Sequence, residues 1–416
     1  MKSFVFTLII VWPLLFPKNL MGFPEDKLEL AADPTIDLLV GNNLKEILIS
    51  GVDLQREIFA NTGISNVIKN GNEKKNNREI RFRCNYNYKQ REKLLTQVLA
   101  KVTSPTGVLN FSKEKYKGDF LILGPNKQGH CDLVNQVSLE KYVSVVLPKE
   151  MNARWPIEAL KAQAVAGRSY ALYLMLARRG LLKQGKSVLF DLENSEKHQV
   201  SGTLFDETAK TSLSAKSTAG EVLVAEDGQK MQQIFFHARC GGKTSLPEDV
   251  WGNRVPGYQS VLCPACYNSE NIDWSVIISR EEIWAFIRDN HKKWKKGGET
   301  LSQRMKLSLY PSEIDANDVG FVLQDKKTFA TEIVYFKKAA FRRYFGREKI
   351  VSNRFVVKAQ DGLSSFKLEG KGNGHGVGMC QMGALELAKR GWDYVKILQY
   401  YFPQYKIAKN YGGMTL

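Results

Sequence analysis

The most regular pattern of apolar and polar residues lies between Ser138 and Gly180. We interpret its first part as a short apolar strand, followed by a turn that carries a single acidic residue, Glu150. Small and apolar residues then recur at helical spacing, namely Leu160, Ala164, Gly167, Ala171 and Leu174. This period predicts a long alanine-rich helix that is buried, because its small residues allow close packing.

Both ends of this helix carry recognisable signals. Trp155 and Pro156 mark its start, since proline is tolerated in the first turn of a helix. Arg178 and Arg179 face the negative end of the helix dipole, and Gly180 can adopt the left-handed conformation that ends a helix.

Glu150 is a candidate catalytic residue. It is flanked by Leu147, Pro148 and Trp155, and such surroundings withdraw a carboxyl from water and favour its protonated form. The alternative is a surface glutamate that pairs with Lys149.

Alternating residues from Thr35 onward, and again over 106–124 and 131–137, predict strands, so we expect a β-rich N-terminal module over residues 30–137. Residues 69–77 are polar without period and predict a loop. Residues 85–101 can be helical at their end. Cys84 and Cys131 both fall in this module and could pair.

The remaining pattern mixes helices and strands. Helices are predicted over 207–219, 281–294 and 381–390, with Asp393 as the cap of another. A hairpin is predicted from 221–224 and 231–236, and strands over 332–336 and 341–345. The fold class is therefore α+β: a mixed β-rich core with the long alanine-rich helix and a C-terminal helical segment.

The N-terminus resembles a secretory signal. Met1 and Lys2 precede the apolar run Phe4–Phe16, which is short for a membrane span and is interrupted by Pro13. We interpret residues 1–23 as a signal peptide or an N-terminal anchor. The expected location is outside the cytoplasm, in the periplasm or cell envelope.

The chain of 416 residues carries a formal net charge of +17. This excess favours an anionic partner, and charge alone leaves nucleic acid, an acidic envelope polymer and a membrane surface open. Export argues against nucleic acid, and no nucleic-acid-binding module is recognisable.

A cluster of cysteine and histidine has the spacing of a metal site. His237 and Cys240 are separated by two residues, as are Cys263 and Cys266. Two such pairs can complete a tetrahedral Cys₃His set, which is typical of structural zinc. In an oxidising compartment, a disulfide between Cys263 and Cys266, or one that involves Cys240, is the alternative.

Glycines alternate around His375, at positions 372, 374, 376 and 378, and a helix follows. A glycine-rich loop before a helix can bind phosphate, but the Lys-Ser/Thr of a P-loop is missing here.

Two segments together resemble one family. LEKYVSVVLPKEMNARWPIEALKAQAVAGRSYAL and GNGHGVGMCQMGA are similar to the two signature motifs of the SpoIID/LytB family of bacterial cell-wall proteins. The sequence departs mildly at Lys149, usually a small residue, and at Gly167, usually alanine, and it retains Glu150. The resemblance covers residues 35 to 408, with a catalytic or glycan-binding core over 138–408 in which 279–350 match less well.

The resemblance implies a peptidoglycan lytic transglycosylase that cleaves MurNAc–GlcNAc bonds of peptide-stripped strands and leaves 1,6-anhydromuramoyl ends. Glu150 would be the general acid and base, in a groove between the long helix and the His375 loop. Sugar or carboxylate contacts would come from Lys161, Gln163, Arg168, Ser169, Tyr170, His375 and Gln381.

A second implied function is a glycan-binding module without catalysis that enhances a peptidoglycan amidase, with Glu150 only accepting hydrogen bonds. The expected partners are glycan strands and an amidase that removes stem peptides.

Overall fold

Strands and helices are both abundant in the computed structural model, which confirms the predicted α+β class. The structure describes residues 33–59, 78–84, 98–126, 128–184, 189–193, 206–263, 266, 273–291, 301–311, 313–314, 316–360, 364–412 and 414. The predicted signal segment 1–23 and the predicted loop 69–77 lie outside these residues.

The N-terminal third is built from strands. They are β1 (Thr35–Leu44), β2 (Glu46–Gly51), β3 (Gln55–Ile58), β4 (Glu79–Arg83), β5 (Val98–Thr103), β6 (Val108–Phe111), β7 (Glu114–Lys117), β8 (Asp119–Leu123) and β9 (Cys131–Ser138). With β10 (Leu192–Glu193) they form a six-stranded sheet of order β10-β1-β9-β8-β5-β3 and a four-stranded sheet of order β4-β2-β6-β7.

The prediction that residues 85–101 can be helical at their end is wrong for residues 98–101, which the structure describes. Residues from Val98 onward belong to β5, which pairs with β3 on one side and β8 on the other. The physical reason is the position between two strands, where Leu99, Ala100 and Val102 are fully buried.

Cys84 and Cys131 form a disulfide, so the pairing that the sequence left open does occur. Cys84 directly follows β4 of the smaller sheet, and Cys131 begins β9 of the larger one. The bond therefore ties the two sheets together beside a shared apolar core.

The segment before Glu150 is a helix rather than the predicted strand. Helix α1 spans Leu139–Glu150, so Glu150 is its last residue. The buried positions Leu139, Tyr142, Val143, Val146 and Leu147 recur at three and four residues, which is the helical period. That apolar face packs on the long helix α2 (Ile157–Lys183).

Helix α2 begins directly after Pro156, as predicted, but continues past Gly180 to Lys183. It lies at the centre of the molecule. It contacts α1, α3 (Ala209–Ser217), β10, β11 (Glu221–Val224), α8 (Gln381–Lys389) and α9 (Tyr394–Tyr401). Most of its alanines, among them Ala162, Ala164 and Ala166, are buried, which is the predicted close packing.

The predicted hairpin over 221–236 forms only in part. Residues 225–230 make a turn, and Val224 bridges Met231, but β11 pairs along its length with the C-terminal strand β20 (Lys406–Lys409). The predicted helices over 207–219 and 381–390 are confirmed as α3 and α8, and Asp393 caps α9 by accepting from the amide of Lys396.

Three further short elements belong to this part of the chain. They are β12 (Phe236–His237), α4 (Pro247–Trp251) and β19 (Met379–Cys380).

Residues 273–371 surround a core of their own. Its elements are β13 (Asp273–Ser279), α5 (Arg280–Asn290), α6 (Leu301–Arg304), β14 (Met305–Tyr310), β15 (Asp318–Asp325), β16 (Thr331–Lys337), α7 (Lys338–Phe345), β17 (Phe355–Ala359) and β18 (Ser365–Lys371). They form two three-stranded sheets, β13-β18-β17 and β14-β15-β16.

Two predictions in this region can be scored. The helix over 281–294 and the strand over 332–336 are confirmed as α5 and β16 within the described residues. The predicted strand over 341–345 is wrong, because these residues end α7. Phe341 and Phe345 lie one helical turn apart, and both contact Phe286 of α5.

None of the described helices has the length and apolar character needed to cross a membrane.

Candidate functional site

Glu150 lies where the end of α1 meets α2 and the start of α8. The side-chain amide of Gln381 donates to Glu150 Oε2 over 3.3 Å and to Gln163 Oε1 over 3.4 Å. Gln163 and Gln381 are both buried. Three segments that are far apart in sequence thus bring one carboxyl and two amides together.

Burial raises the pKa of Glu150 to about 7, and the hydrogen bond from Gln381 partly opposes this shift. Near neutral pH the carboxyl is therefore divided between its protonated and ionised forms, which is the condition for a general acid and base. The buried hydroxyls of Tyr142 and Tyr170 are close enough that the charge on Glu150 raises the pKa of each.

The alternative interpretation of Glu150 as the partner of Lys149 does not hold. Lys149 Nζ lies 2.8 Å from a carboxylate oxygen of Asp206. Glu150 instead lines a cavity of about 10 Å³, which is close to the space of a single water. The other lining residues are Tyr142, Val143, Val146, Leu147, Gln163, Ala164 and Gly167.

The glycine-rich segment reaches this site through Gln381. At its end β19 pairs in parallel with β12, and a side chain at Gly378 would meet the carbonyl oxygen of Phe235 at 2.0 Å. Gly378 also has a φ of 74°, so glycine is required here both for space and for conformation. The close approach fixes the start of α8, and with it the position of Gln381.

His375 lies in an aromatic cluster beside this segment. Its ring centroid is 5.1 Å from that of Trp251, 5.6 Å from that of His237 and 6.1 Å from that of Phe235. Its Nδ1 accepts from the amide of Val377. Burial, followed by the charges of His237 and Arg342, holds the pKa of His375 well below its usual value, so the ring is neutral at pH 7.

Two residues expected to touch the substrate serve the fold instead. Arg168 is fully buried, and its guanidinium donates to both carboxylate oxygens of Glu140 at 3.0 and 2.8 Å. Its other donors meet the carbonyls of Glu221, Ala215 and Ala164.

Ser169 is also fully buried. Its hydroxyl donates to the carbonyl of Val165 and accepts from the amide of Leu223. These contacts run against the expectation for Arg168 and Ser169, since the polar groups of both side chains are held by the protein itself in this structure.

Lys161 also has intramolecular contacts. Its ammonium lies 2.8 Å from a carboxylate oxygen of Glu158 and 5.6 Å from the ring centroid of Tyr394. Glu158 accepts in turn from the backbone amide of Tyr394. Lys161 therefore joins α2 to α9, whereas Gln163, Tyr170 and Gln381 surround Glu150.

The expected metal cluster has a different fourth member. The sulfurs of Cys240, Cys263, Cys266 and Cys380 all lie within 4.8 Å of one another, and all four cysteines are buried and free. This group contains Cys380, which the sequence reasoning missed, and does not contain His237. The signal for Cys380 was present, since it is the remaining cysteine and directly precedes Gln381 in the second motif.

His237 makes a different contact. Its Nδ1 donates to the carbonyl of Val377, and burial lowers its pKa to about 4. The alternative, a disulfide of Cys263 with Cys266 or of Cys240 with either, is not formed in the structure.

Comparison with known proteins agrees with this architecture. The SpoIID family, described as stage II sporulation protein, matches residues 127–224, which contain α1, Glu150 and α2. An uncharacterized protein of Brachyspira hyodysenteriae is 32% identical over 274 residues, which are 65% of this chain and 66% of that protein. The amidase enhancer of Bacillus subtilis is 27% identical over 62% of this chain, but only 39% of the enhancer is covered.

The stage II sporulation protein D of Bacillus subtilis is 25% identical over 66% of this chain and 76% of its own length. The match over residues 127–224 and the likeness to stage II sporulation protein D support assignment of this part of the chain to the SpoIID family. This assignment, with the likeness to an amidase enhancer, supports a role at the bacterial cell wall.

Proposed function

We propose that this protein is a peptidoglycan lytic transglycosylase that acts on peptide-stripped glycan strands. The observation that carries the proposal is the carboxyl of Glu150, whose pKa is raised by burial to about 7 while an amide donor remains in contact with it. Other glutamates of this segment do not combine these features, since Glu140 is held in an ion pair with Arg168 and Glu158 in one with Lys161.

One carboxyl is sufficient for this reaction. The protonated form of Glu150 donates its proton to the leaving O4 as the bond between C1 and that oxygen breaks. The resulting carboxylate then accepts the proton of the C6 hydroxyl of the same muramic acid, whose oxygen forms the new bond to C1. The proton returns to Glu150 and no water is consumed, so the second carboxylate of ordinary glycosidases is not required.

The surroundings of Glu150 suit both halves of this cycle. The apolar cavity residues favour the acid form that starts the reaction. The amide of Gln381 stabilises the carboxylate that must exist between the two proton transfers. Tyr170 and Gln163 remain candidate sugar contacts because they border the same carboxyl.

The test is incubation with amidase-stripped peptidoglycan, followed by mass spectrometry of the products. We expect anhydromuramoyl ends with the native chain and none with Glu150→Gln, in a variant that still folds and still binds the strands. Glu226→Gln, which changes an exposed glutamate, is the matched control and should retain activity. Equal cleavage by the native chain and Glu150→Gln would exclude the assigned role.

The second candidate is a non-enzymatic enhancer of an amidase. It is favoured by the likeness to the amidase enhancer of Bacillus subtilis. In this case the protein binds the strands without producing anhydromuramoyl ends at any protein concentration, and an added amidase releases stem peptides faster in its presence. The two candidates therefore differ in the products of a single digestion.

We also propose that the four clustered cysteines hold one structural zinc ion. Four thiolates around Zn²⁺ at about 2.3 Å lie roughly 3.8 Å apart, and the sulfurs of Cys266 and Cys380 are 3.4 Å apart. The four residues would leave no open position for a reactive water. The ion would connect the segments of Cys240, Cys263 and Cys266 to Cys380, beside Gln381.

We further infer that the protein is exported to the cell envelope. The apolar N-terminal run supports export, and the disulfide between Cys84 and Cys131 suits an oxidising compartment. Fractionation of cells that produce the full chain, compared with a chain lacking residues 1–23, tests this. Equal recovery of both forms from the cytoplasm would contradict export.

A further inference from the structure

A turn of the region 273–371 is joined directly to the segment that carries His375. After α7 the chain turns at Gly346, whose carbonyl accepts from the amide of Ile350. The next residue, Val351, accepts from the amide of Gly374, and the amide of Asn353 donates to the carbonyl of Gly374. The side chain of Asn353 donates to the carbonyl of His375. The turn therefore has a defined place against the glycine-rich segment.

Helix α7 also approaches His375 from a second direction. It contacts the short helix α4, which contains Trp251, and the Trp251 ring lies 5.1 Å from that of His375. Arg342 of α7 donates from Nε to the carbonyl of Ile350 over 3.0 Å, so the helix and the turn are held together. Contacts on both sides of His375 hold α7 and the turn that follows it, here called the α7 corner, in place.

The α7 corner contains three arginines, Arg342, Arg343 and Arg347. Arg347 lies in the turn itself and is exposed, four residues before the contact with Gly374. Its charge acts on Tyr170, which borders Glu150. Burial and the charge of Glu150 raise the pKa of Tyr170, and the charge of Arg347 acts in the opposite direction and lowers it. Arg347 also acts, with Arg342, on the pKa of His375.

We propose that Arg347 is a specificity-determining residue that binds the free lactyl carboxylate of a muramic acid next to the sugar cleaved or bound at Glu150. This inference rests on the proposed function, because it takes the stripped strand as the ligand. Removal of a stem peptide leaves a carboxylate in place of a neutral amide. A guanidinium distinguishes the two by charge and can donate two parallel hydrogen bonds to a carboxylate.

This assignment gives the region 273–371 a role in substrate choice. A strand that still carries its peptides offers no carboxylate to Arg347, and it adds bulk at the same position. The glycan would thus contact α1, α2 and α8 around Glu150, and its lactyl group would contact the turn after α7.

The test measures binding in the full chain carrying Glu150→Gln, so that no cleavage interferes. One probe is a muramic-acid-containing tetrasaccharide with free lactyl carboxylates. The second is the same tetrasaccharide with those carboxylates converted to primary amides. Arg347→Gln is compared with Arg343→Gln, which removes the same charge from an exposed arginine of α7. Circular dichroism and urea unfolding verify that both variants fold.

We expect Arg347→Gln to weaken binding of the carboxylate probe by roughly tenfold and to leave the amide probe unchanged, as expected for one charge-assisted contact. Arg343→Gln should change neither. Equal affinity of the parent for the two probes, equal losses on both probes, or no effect of Arg347→Gln would each overturn the proposal. So would failure of the parent to bind either probe.

The outcomes separate this inference from the proposed function. If native chain forms no anhydromuramoyl ends while Arg347 still discriminates the probes, transglycosylation fails and carboxylate recognition stands. If cleavage depends on Glu150 but the probes bind alike, the proposed function stands and the role of Arg347 fails.

Discussion

Gln381 Nε2 lies 3.3 Å from Glu150 Oε2, although the two residues are 231 positions apart in the chain. One residue ends α1 and the other begins α8, and each lies in one of the two motifs that carry the family resemblance. The contact explains why the two motifs occur together. The first supplies a half-buried carboxyl, and the second supplies the donor that keeps its ionised form accessible.

Replacement of Gln381 by methionine should raise the pKa of Glu150 further. The amide donor stabilises the carboxylate, and loss of one such hydrogen bond is worth about 0.5–1.5 kcal/mol, or roughly 0.4–1 pKa unit. The alkaline limb of the pH profile of cleavage should move to higher pH by that amount. Gln399→Met, at an exposed position of α9, is the control and should leave the profile in place. An unchanged profile in Gln381→Met would contradict the coupling.

Glu150→Gln should change the pH dependence of stability. The pKa of Glu150 in the folded chain, about 7, is higher than that of an exposed glutamate, because burial disfavours the charged form. The folded state then holds the extra proton between about pH 4.5 and 7, so this group lowers the free energy of unfolding as the pH rises through that window.

At pH 8 we therefore expect Glu150→Gln to be more stable than the native chain, by an amount on the order of 2–3 kcal/mol, and at pH 4.5 to be close to it. Urea unfolding at both pH values measures the difference. A variant that is less stable than the native chain at pH 8 would show that the carboxylate is not strained by burial.

Loss of Arg168 should destabilise the fold. Its guanidinium is fully buried, and its partner Glu140 also accepts from Tyr411 and from the backbone of Gly220. Removal of one member of a buried pair costs about 3–5 kcal/mol, because the other charge loses its ion-pair partner. We expect Arg168→Met to lose stability of this size in urea unfolding at pH 7. Arg390→Met, which removes an exposed arginine paired with Glu386, should lose less than about 1 kcal/mol.

The same pair should contribute to acid sensitivity. Burial alone would raise the pKa of Glu140, but the hydrogen bonds and charge of Arg168 hold it below the usual value. A lowered folded pKa gives stability that is present above the unfolded pKa and is lost as the pH falls through the folded one. The difference in stability between native chain and Arg168→Met should therefore shrink below about pH 4. A difference that stays constant down to pH 2 would argue against this linkage.

Metal content should depend on Cys380 and not on His237. Protein purified without chelator is expected to contain about one zinc per chain, with four thiolate ligands. Cys380→Ser should release most of this zinc, whereas His237→Gln should retain it, because the imidazole lies outside the cluster of sulfurs. Elemental analysis measures both, and cobalt substitution reports the number of thiolates. Absence of zinc together with oxidised thiols would support disulfides instead.

Removal of the disulfide should lower stability without changing metal content. Cys84 and Cys131 close a loop with a sequence separation of 47 residues, and a loop of this size corresponds to about 4 kcal/mol of unfolded-state entropy. We expect the double variant Cys84→Ala with Cys131→Ala to lose about 2–4 kcal/mol in urea unfolding. Unchanged stability on reduction of the native chain would contradict a structural role for this bond.

Local pattern was sufficient for several elements and misleading for others. The alanine-rich helix, α8 and the cap Asp393 follow from spacing and cap residues, which act within a few positions of the chain. The run before Glu150 contains Val143, Val145 and Val146, and such β-branched residues suit a strand as well as a buried helix. The contact with α2 selects the helix, and that contact is not a local property.

The candidate site divides in the same way. Sequence alone named Glu150, Gln163, Tyr170 and Gln381, which the structure brings together, because they lie in the two motifs. It also assigned Arg168 and Ser169 to the ligand, because a motif does not show which side of a helix faces the interior. The structure turns both toward Glu140 and β11, where their polar groups are satisfied by the protein itself.

By itself, the sequence determined the mixed class, several of the helices and strands, the buried character of the long helix, and the two cysteines able to pair. Only the tertiary structure decided that Gln381 meets Glu150, that Cys380 completes the cluster of cysteines, and that the turn with Arg347 lies against the His375 segment. The physical reason is the distance along the chain over which each kind of interaction acts. Periodicity and caps act over one or two turns of chain, whereas these contacts join positions 22 to 231 residues apart and depend on how the elements pack.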